Sequence, residues 1–324
     1  MKKRKIKWGV LGTATIANNH TLPGMLEADN CQLYAIAGRN PEKILAFQNK
    51  FGFEKTYDSY DMLLDDVEVE AIYIPLPNDL HREWVLKAAK KKKHILCEKP
   101  LAGKAEEVEE MVEVCKKENV LLMEAFAYLQ SNATRETIEA VRSGVIGKPI
   151  LIESSFVVKK WEKENIRMRK ETLGGTTYDQ GCYNLSLIMQ LLDEEPEDVR
   201  GIADFMDNGV DDYSSVYLKF PSGARAVMTS AMCSGQRGDY YVIYGSEGTL
   251  ESHIPFNANG PVTYEIKKEN KKEVHQLNVA SNYKLEAEQF GRCIIDGEEP
   301  LVSNEFSIKL AKAMDRVLIS IGYD

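Results

Sequence analysis

The chain has 324 residues, 44% hydrophobic and 28% charged, an ordinary balance for a globular protein with room for two cores. Its net charge of −9 speaks against nucleic acid or an anionic membrane surface as a partner. The basic start Met1-Lys2-Lys3-Arg4-Lys5 turns at once into a short apolar run and a glycine loop, which argues against a signal peptide, and no apolar run approaches the ~18 residues that span a bilayer.

Lys5 to Leu11 reads as a strand and Thr15 to Ala28 as a helix. Cys31 to Ala37 is a second strand. Asn40 then caps a helix with Pro41 at its first position and Gly52 past its end. Glu70 to Pro75 is a strand, Asp79 to Lys92 a helix, His94 to Cys97 a strand, Lys104 to Glu118 a helix and Val120 to Glu124 a strand. This alternation predicts a parallel sheet with right-handed crossovers, a Rossmann domain over residues 1–123. Beyond it the rhythm changes. A helix near Thr134 to Ser143 precedes a strand at Pro149 to Lys159. Gly174-Gly175 then leads into a helix ending near Leu192. Strand follows strand from Asp198 to Asn278, and helices near Tyr283 to Ile295 and Ser303 to Ser320 close the chain. Residues 124–324 are therefore expected to form an α+β domain with a mostly antiparallel open sheet, giving an α/β protein overall.

The six cysteines, Cys31, Cys97, Cys115, Cys182, Cys233 and Cys293, lack metal-ligand spacing and lie mostly among apolar neighbours, and the five histidines are scattered. Buried free thiols in a reducing cytoplasm, with no metal, are the expectation.

The first strand runs into Gly12-Thr13-Ala14-Thr15-Ile16-Ala17, with small residues at the three positions of a dinucleotide fingerprint. The first allows a tight turn, the second lets backbone approach a pyrophosphate, and the third lets helix and strand pack closely. After the second strand comes Gly38-Arg39-Asn40, where an acid would bind the 2′-hydroxyl of NAD. Arg39 either stays in solvent or clamps a 2′-phosphate, and the second reading favours NADP over NAD. The apolar run His94-Ile95-Leu96-Cys97 delivers Glu98-Lys99-Pro100 to the carboxyl end of a strand, the edge where open α/β sheets bind ligands. A lysine there either pairs with a neighbouring acid or handles protons. Asp179 and Tyr183, four apart, share one face of a helix that Thr176 or Thr177 is placed to cap, with Gly181 between them hinting at a close approach. They either balance a dipole and pack, or join a lysine in moving a proton. Trp161 and Arg167 are substrate-contact candidates, or else a packed indole and a surface cation.

Together, Gly12 to Ala17, Pro77-Asn78-Asp79-Leu80-His81, Glu98-Lys99-Pro100, and Gly174-Gly175 followed by Asp179, Gly181 and Tyr183 resemble the glucose–fructose oxidoreductase, inositol dehydrogenase and rhizopine-catabolism family over essentially the whole chain. The resemblance implies that Leu76, Pro77, Asn78, His81 and Glu98 line the cofactor, as do Gly12, Thr13, Ala14, Thr15, Ile16, Gly38 and Arg39. It implies that Lys99 lies between nicotinamide and substrate. Tyr183, where many members carry histidine, is similar to the branch of dihydrodiol dehydrogenase, xylose dehydrogenase and some sugar ketoreductases. Two departures stand out: the arginine that many members carry soon after Met123-Glu124-Ala125-Phe126 is missing, and Thr176 replaces a third glycine. The expected activity is hydride transfer between nicotinamide and a carbinol or ketone carbon of a sugar, polyol or cyclic diol. Lys99, Tyr183 and Asp179 handle the proton, with Lys99 and Tyr183 alternatives for the acid–base group. The expected assembly is a homodimer or homotetramer. Glycoside cleavage through a tightly held NAD and a non-enzymatic dinucleotide sensor are the competing readings.

Overall fold

A computed structural model describes residues 4–233, 235 and 238–323. It divides into two compact units, Met1–Gln130 with Ala280–Ile308, and Ser131–Val279 with Lys309–Asp324. The units thus depart from a single cut after residue 123, because the chain returns late to the first core. Trp8 and Phe290, both fully buried, pack with ring centroids 4.9 Å apart, and Gly24 lies so close to Tyr283 and Lys284 that a Cβ would meet backbone at 2.6 Å. An amphipathic helix shows in its sequence which face is apolar, not which core that face will cover.

The first unit holds a six-stranded parallel sheet built from β1 (Ile6–Leu11), β2 (Cys31–Ala37), β3 (Lys55–Tyr57), β4 (Ala71–Ile74), β5 (His94–Glu98) and β6 (Leu122–Ala125). Its order is β3-β2-β1-β4-β5-β6, which reverses direction between β1 and β4, and ligands of such sheets bind outside the carboxyl ends at that switch. β1, β4 and β6 are almost wholly buried, as parallel strands covered on both faces must be. The helix α2 (Pro41–Phe51) is set by local chemistry: Asn40 accepts the Lys43 N–H at 3.0 Å, and Gly52 closes it at φ 75°. Such a cap is worth about 1 kcal/mol. Two elements were not expected from the sequence, β3 and the short helix α3 (Tyr60–Leu64), after α1 (Leu22–Glu27). Both are too short to show a period. The helix expected over residues 15–28 forms, but a π turn at Ala17–Thr21 interrupts it.

The second unit holds an eight-stranded sheet ordered β14-β13-β12-β11-β7-β10-β9-β8, where β7 is Pro149–Val158, β8 Asp198–Phe205, β9 Asp211–Lys219, β10 Arg225–Met232, β11 Gly238–Gly245, β12 Thr249–Ser252, β13 Gly260–Lys268 and β14 Lys271–Val279. Every pairing is antiparallel except β7 with β10. Alternation puts Ser214, Val216 and Leu218 of β9 inside, while Ile202 of β8 and Tyr240 and Tyr244 of β11 stay exposed. Among the described residues no helix is long and apolar enough to cross a membrane. All six cysteines are free; Cys31, Cys97, Cys115 and Cys182 are buried, Cys293 is half-buried and Cys233 is exposed.

Candidate active site

In the first unit the expected cofactor residues gather along the carboxyl edge of the parallel sheet. Gly12 follows β1 at φ 100°, a backbone state that disfavours side chains, and its N–H donates to the Ala37 carbonyl at 2.7 Å. A Cβ there would come within 3.2 Å of Leu76 and 3.5 Å of the Tyr60 hydroxyl, so the residue leaves a cradle that any substitution fills. Thr13, Ala14 and Ile16 are half-buried and Thr15 is exposed, which keeps the backbone N–H groups of the helix start accessible to an anion. Gly38 is buried after β2, and Arg39 beyond it is exposed, near enough to Tyr60 for its charge to act on that phenol. These residues fit a dinucleotide: a positive-φ glycine at the switch point, open backbone donors and an arginine where the ribose would lie.

Beyond β4, Leu76 is buried, and Pro77 and Asn78 are half-buried at the start of a 3₁₀ turn, Asn78–Leu80, that continues into α4 (His81–Lys90). His81, expected from the sequence to line the cofactor, spends both ring nitrogens on backbone. Its ring is fully buried, with Nδ1 at 2.9 Å from the Pro100 carbonyl and Nε2 at 2.9 Å from the Leu76 carbonyl. The side chain thus ties the loop after β4 to the turn that carries Lys99. Burial lowers its pKa against the pull of those carbonyls.

Lys99 leaves β5 almost completely buried, 8% exposed, and the following peptide to Pro100 is cis. Glu98 is half-buried and accepts from the Tyr73 hydroxyl at 2.6 Å; Tyr73 in turn shares a hydrogen bond of 2.8 Å with Thr21, inside the π turn. Two further acids in this unit were not anticipated from the sequence. Glu286, on α8 (Asn282–Asp296), is fully buried, and burial followed by the charge of Glu98 pushes its carboxyl well above the carboxylate range. Glu124, in β6, is buried too and is pushed up to about 7. Burial is the main cause, countered by Ser307, the Leu101 N–H and the Lys99 cation. An acid inside the four-residue apolar strand Leu122-Met123-Glu124-Ala125 is the signal that was available, since nothing stabilises a carboxyl there without a specific partner.

In the second unit Asp179 and Tyr183 sit where a π turn, Thr177–Gly181, meets α7 (Cys182–Leu192), after α5 (Ala105–Glu118) and α6 (Asn132–Arg142). From 174 to 189 every residue is buried except these two. Such turns concentrate at functional sites. The expected threonine cap does not form. Thr176 bonds Gln180 at 2.8 Å, and Asp211 from β9 takes both the Thr177 N–H (2.9 Å) and the Thr177 hydroxyl (2.6 Å). A carboxylate remote in sequence thus does the capping, which no local pattern shows. Asp211 is pushed up to about 6, by burial first, opposed by the Thr177 bonds. Gly175 makes this possible: at φ 103° it lets Asp211 approach to where its own Cβ would stand 2.0 Å from Oδ1. At Gly181 a Cβ would stand 3.3 Å from the Thr177 side chain of the same turn and 3.5 Å from the Ser230 hydroxyl, little more than ordinary contact.

The Asp179 carboxylate accepts from Arg167 Nε and from Gln180 Nε2, each at 2.5 Å. The Arg167 guanidinium lies over the Trp161 ring, 4.8 Å from its centroid. Trp161, Arg167 and Asp179 therefore form one chain, the indole itself 39% exposed. The Tyr183 ring is fixed between Phe156 and Phe256, with centroids 5.4 and 5.1 Å away. These aromatic contacts hold the Tyr183 ring in place. Among the described residues no group of three or more His, Cys, Asp or Glu is arranged to hold a metal.

Comparison with known proteins gives these features a context. Residues 6–126 match a model described as an oxidoreductase family with an NAD-binding Rossmann fold, and residues 134–251 match the GFO/IDH/MocA C-terminal domain. A D-xylose 1-dehydrogenase (NADP⁺) of Haloferax volcanii is 32% identical over 96% of this chain and 95% of its own. A trans-1,2-dihydrobenzene-1,2-diol dehydrogenase of Xenopus tropicalis is 31% identical over 98% of each. A solved 3-ketoreductase from Actinomadura kijaniata, in complex with NADP and TDP-benzene, superposes with a TM-score of 0.92 at 26% identity, over 98% of each chain.

Proposed function

The chain belongs to the GFO/IDH/MocA oxidoreductase family, and from that premise we propose that it is an NADP-dependent enzyme that moves a hydride between nicotinamide C4 and a carbinol or ketone carbon of a sugar, polyol or cyclic diol. The observation that carries this reading is the edge of the parallel sheet, where Arg39, Gly12, Asn78 and Lys99 follow the adjacent strands β2, β1, β4 and β5. Gly12 and Ala14 leave room for a pyrophosphate, the N–H groups of the helix start receive its charge, and Arg39 takes the 2′-phosphate. The bound nicotinamide supplies the hydride acceptor or donor. Lys99 stabilises negative charge on the substrate oxygen, and the Tyr183 phenol exchanges that oxygen's proton. Asp179, held by Arg167, orients Lys99 or a substrate hydroxyl, and Trp161 and Arg167 contact the substrate. In the reductive direction a hydride adds to the carbonyl carbon, the C=O π pair moves onto oxygen, and the Tyr183 phenol protonates that oxygen and is left as phenolate; oxidation is the reverse, with the phenolate taking the O–H proton, whose electron pair forms the C=O bond.

NADP rather than NAD is supported by the exposed Arg39 and the absence of an acid at 38–40, and by the cofactor named for the Haloferax and Actinomadura proteins. Free, mostly buried thiols support a cytoplasmic setting, and the exposed Ile202, Tyr240 and Tyr244 on the eight-stranded sheet support a homodimer or homotetramer.

The test is a screen of sugars, polyols and diols with NADP and with NAD, in both directions, following the absorbance of reduced nicotinamide. Turnover with at least one class and a preference for NADP of about tenfold or more is expected. Tight NADPH binding without oxidation or reduction across the panel contradicts enzymatic function. Product formation with a cofactor that never exchanges points to glycoside cleavage instead.

A further inference from the structure

Glu124 stands on β6 opposite Cys97 of β5, and Lys99 lies two residues past Cys97, just beyond the end of the strand at Glu98. Glu124 Oε1 accepts the N–H of Leu101 at 2.9 Å, just past the Lys99–Pro100 turn. Oε2 is buried and has no hydrogen-bond partner among the described residues. The side chain is 4% exposed, and the charge of Lys99 acts on it directly. A buried carboxyl is costly, and hydrogen bonds from Ser307 and the Leu101 N–H together with the Lys99 cation offset that cost.

We propose that Glu124 is the positioning residue for Lys99: through Oε1 it clamps the turn after Lys99, and through its negative charge it keeps the Lys99 amine protonated in the buried site. The part this plays in turnover rests on the Lys99 chemistry proposed above; the coupling of the two groups does not. Among the described residues, the groups that act on Glu124 lie in the sheet and beside it. Cys97 comes from β5 and Lys99 from just past it, with the Cys97 thiol held neutral by burial, and Ser307 and the Leu101 N–H supply hydrogen bonds. Glu124 loses its charge as pH falls through about 7, so the ionised pair belongs to neutral and alkaline solution.

The experiment reads Lys99 itself. Protein labelled with ¹³C at lysine Cε is titrated by NMR, with the Lys99 signal assigned by its loss in Lys99→Met. In Glu124→Gln, which keeps the shape and an acceptor for Leu101, the apparent Lys99 pKa falls by about one unit or more, a tenfold change in its charged-to-neutral ratio. Glu124→Asp restores most of that change. A Lys99 titration in Glu124→Gln within ~0.3 unit of wild type overturns the proposal. Turnover separates the two readings. An active Lys99→Met refutes the catalytic use of Lys99 while leaving the coupling intact, whereas an inactive Lys99→Met with an unmoved Glu124→Gln titration refutes the coupling alone.

Discussion

Lys99 emerges from the end of a buried parallel strand, while Asp179 and Tyr183 project from a helix that is otherwise buried. The neighbours of Lys99 are anchored mainly to backbone: His81 to the Leu76 and Pro100 carbonyls, and Glu124 to the Leu101 N–H. Those of Asp179 and Tyr183 are anchored mainly by side chains: Arg167 on Asp179, Asp211 on Thr177, Phe156 and Phe256 around Tyr183. Backbone anchors fix a geometry that every substrate must accept. Side-chain anchors can be exchanged one at a time, so the surroundings of Asp179 and Tyr183 can change at lower structural cost.

The sharpest way to break this contrast is Gly175→Ala. Its Cβ would overlap Asp211 at a backbone angle unsuited to alanine, and the capping of the Asp179 helix would be lost. A loss of about 3 kcal/mol or more is expected, read from the urea unfolding midpoint; a loss under ~1 kcal/mol would show that the helix holds its place without Asp211. Next in size is Arg39→Ala, which removes a surface cation without touching the core. It should raise KM for NADP by roughly 10- to 100-fold while leaving KM for NAD within about twofold. Equal effects on both cofactors would place Arg39 away from the 2′-phosphate.

Each unit also carries a buried acid that titrates high, Glu124 at about 7 in the first and Asp211 at about 6 in the second. A carboxyl whose folded pKa lies above its unfolded value contributes stability that is full below the unfolded pKa and is lost as pH rises through the folded one. Both groups therefore favour the folded state at pH 4 and withdraw that contribution by pH 8, at roughly 1.4 kcal/mol for each tenfold difference in proton affinity between the folded and unfolded chain. Asp66 works the other way. Burial would raise it, but hydrogen bonds from Tyr57 and Lys55 bring it down to about 2, so its contribution is lost on acidification. Between pH 5.5 and 8 the unfolding midpoint should fall, and Glu124→Gln should flatten that fall; an unchanged slope would contradict the burial of an ionisable Glu124. The smallest expected effect is that of Trp161→Ala, whose indole covers Arg167 from a partly exposed position. A change of about 2- to 10-fold in substrate KM with kcat near wild type is expected, because such a contact acts equally on ground and transition states.

What could be read from the sequence follows the same division. Gly12, the Asn40-Pro41 start of α2 and its Gly52 stop are demands of local backbone chemistry, and each is found where the sequence put it. The edge position of Lys99 followed from the apolar run before it. In the second unit the residues of interest were visible, but their partners were not. Asp211 reaches Thr177 across 34 positions, and Arg167, a substrate candidate or a surface cation by its sequence, holds Asp179. The π turns at Ala17–Thr21 and Thr177–Gly181 left no mark, because a single extra residue in a turn does not change the apolar period enough to be seen. In the sequence Glu124 stands out as an acid within a short apolar strand, but its burial and its pairing are products of the assembled sheet.

The proposed chemistry gives Lys99 and Tyr183 a shared task at the substrate oxygen. Turnover of Lys99→Met and Tyr183→Phe, measured with NADP and the best substrate from the panel on protein whose unfolding midpoint matches wild type, tests it most directly. The account predicts that kcat falls by about 10²- to 10⁴-fold in at least one variant, with KM for NADP little changed. Wild-type turnover in both would contradict it.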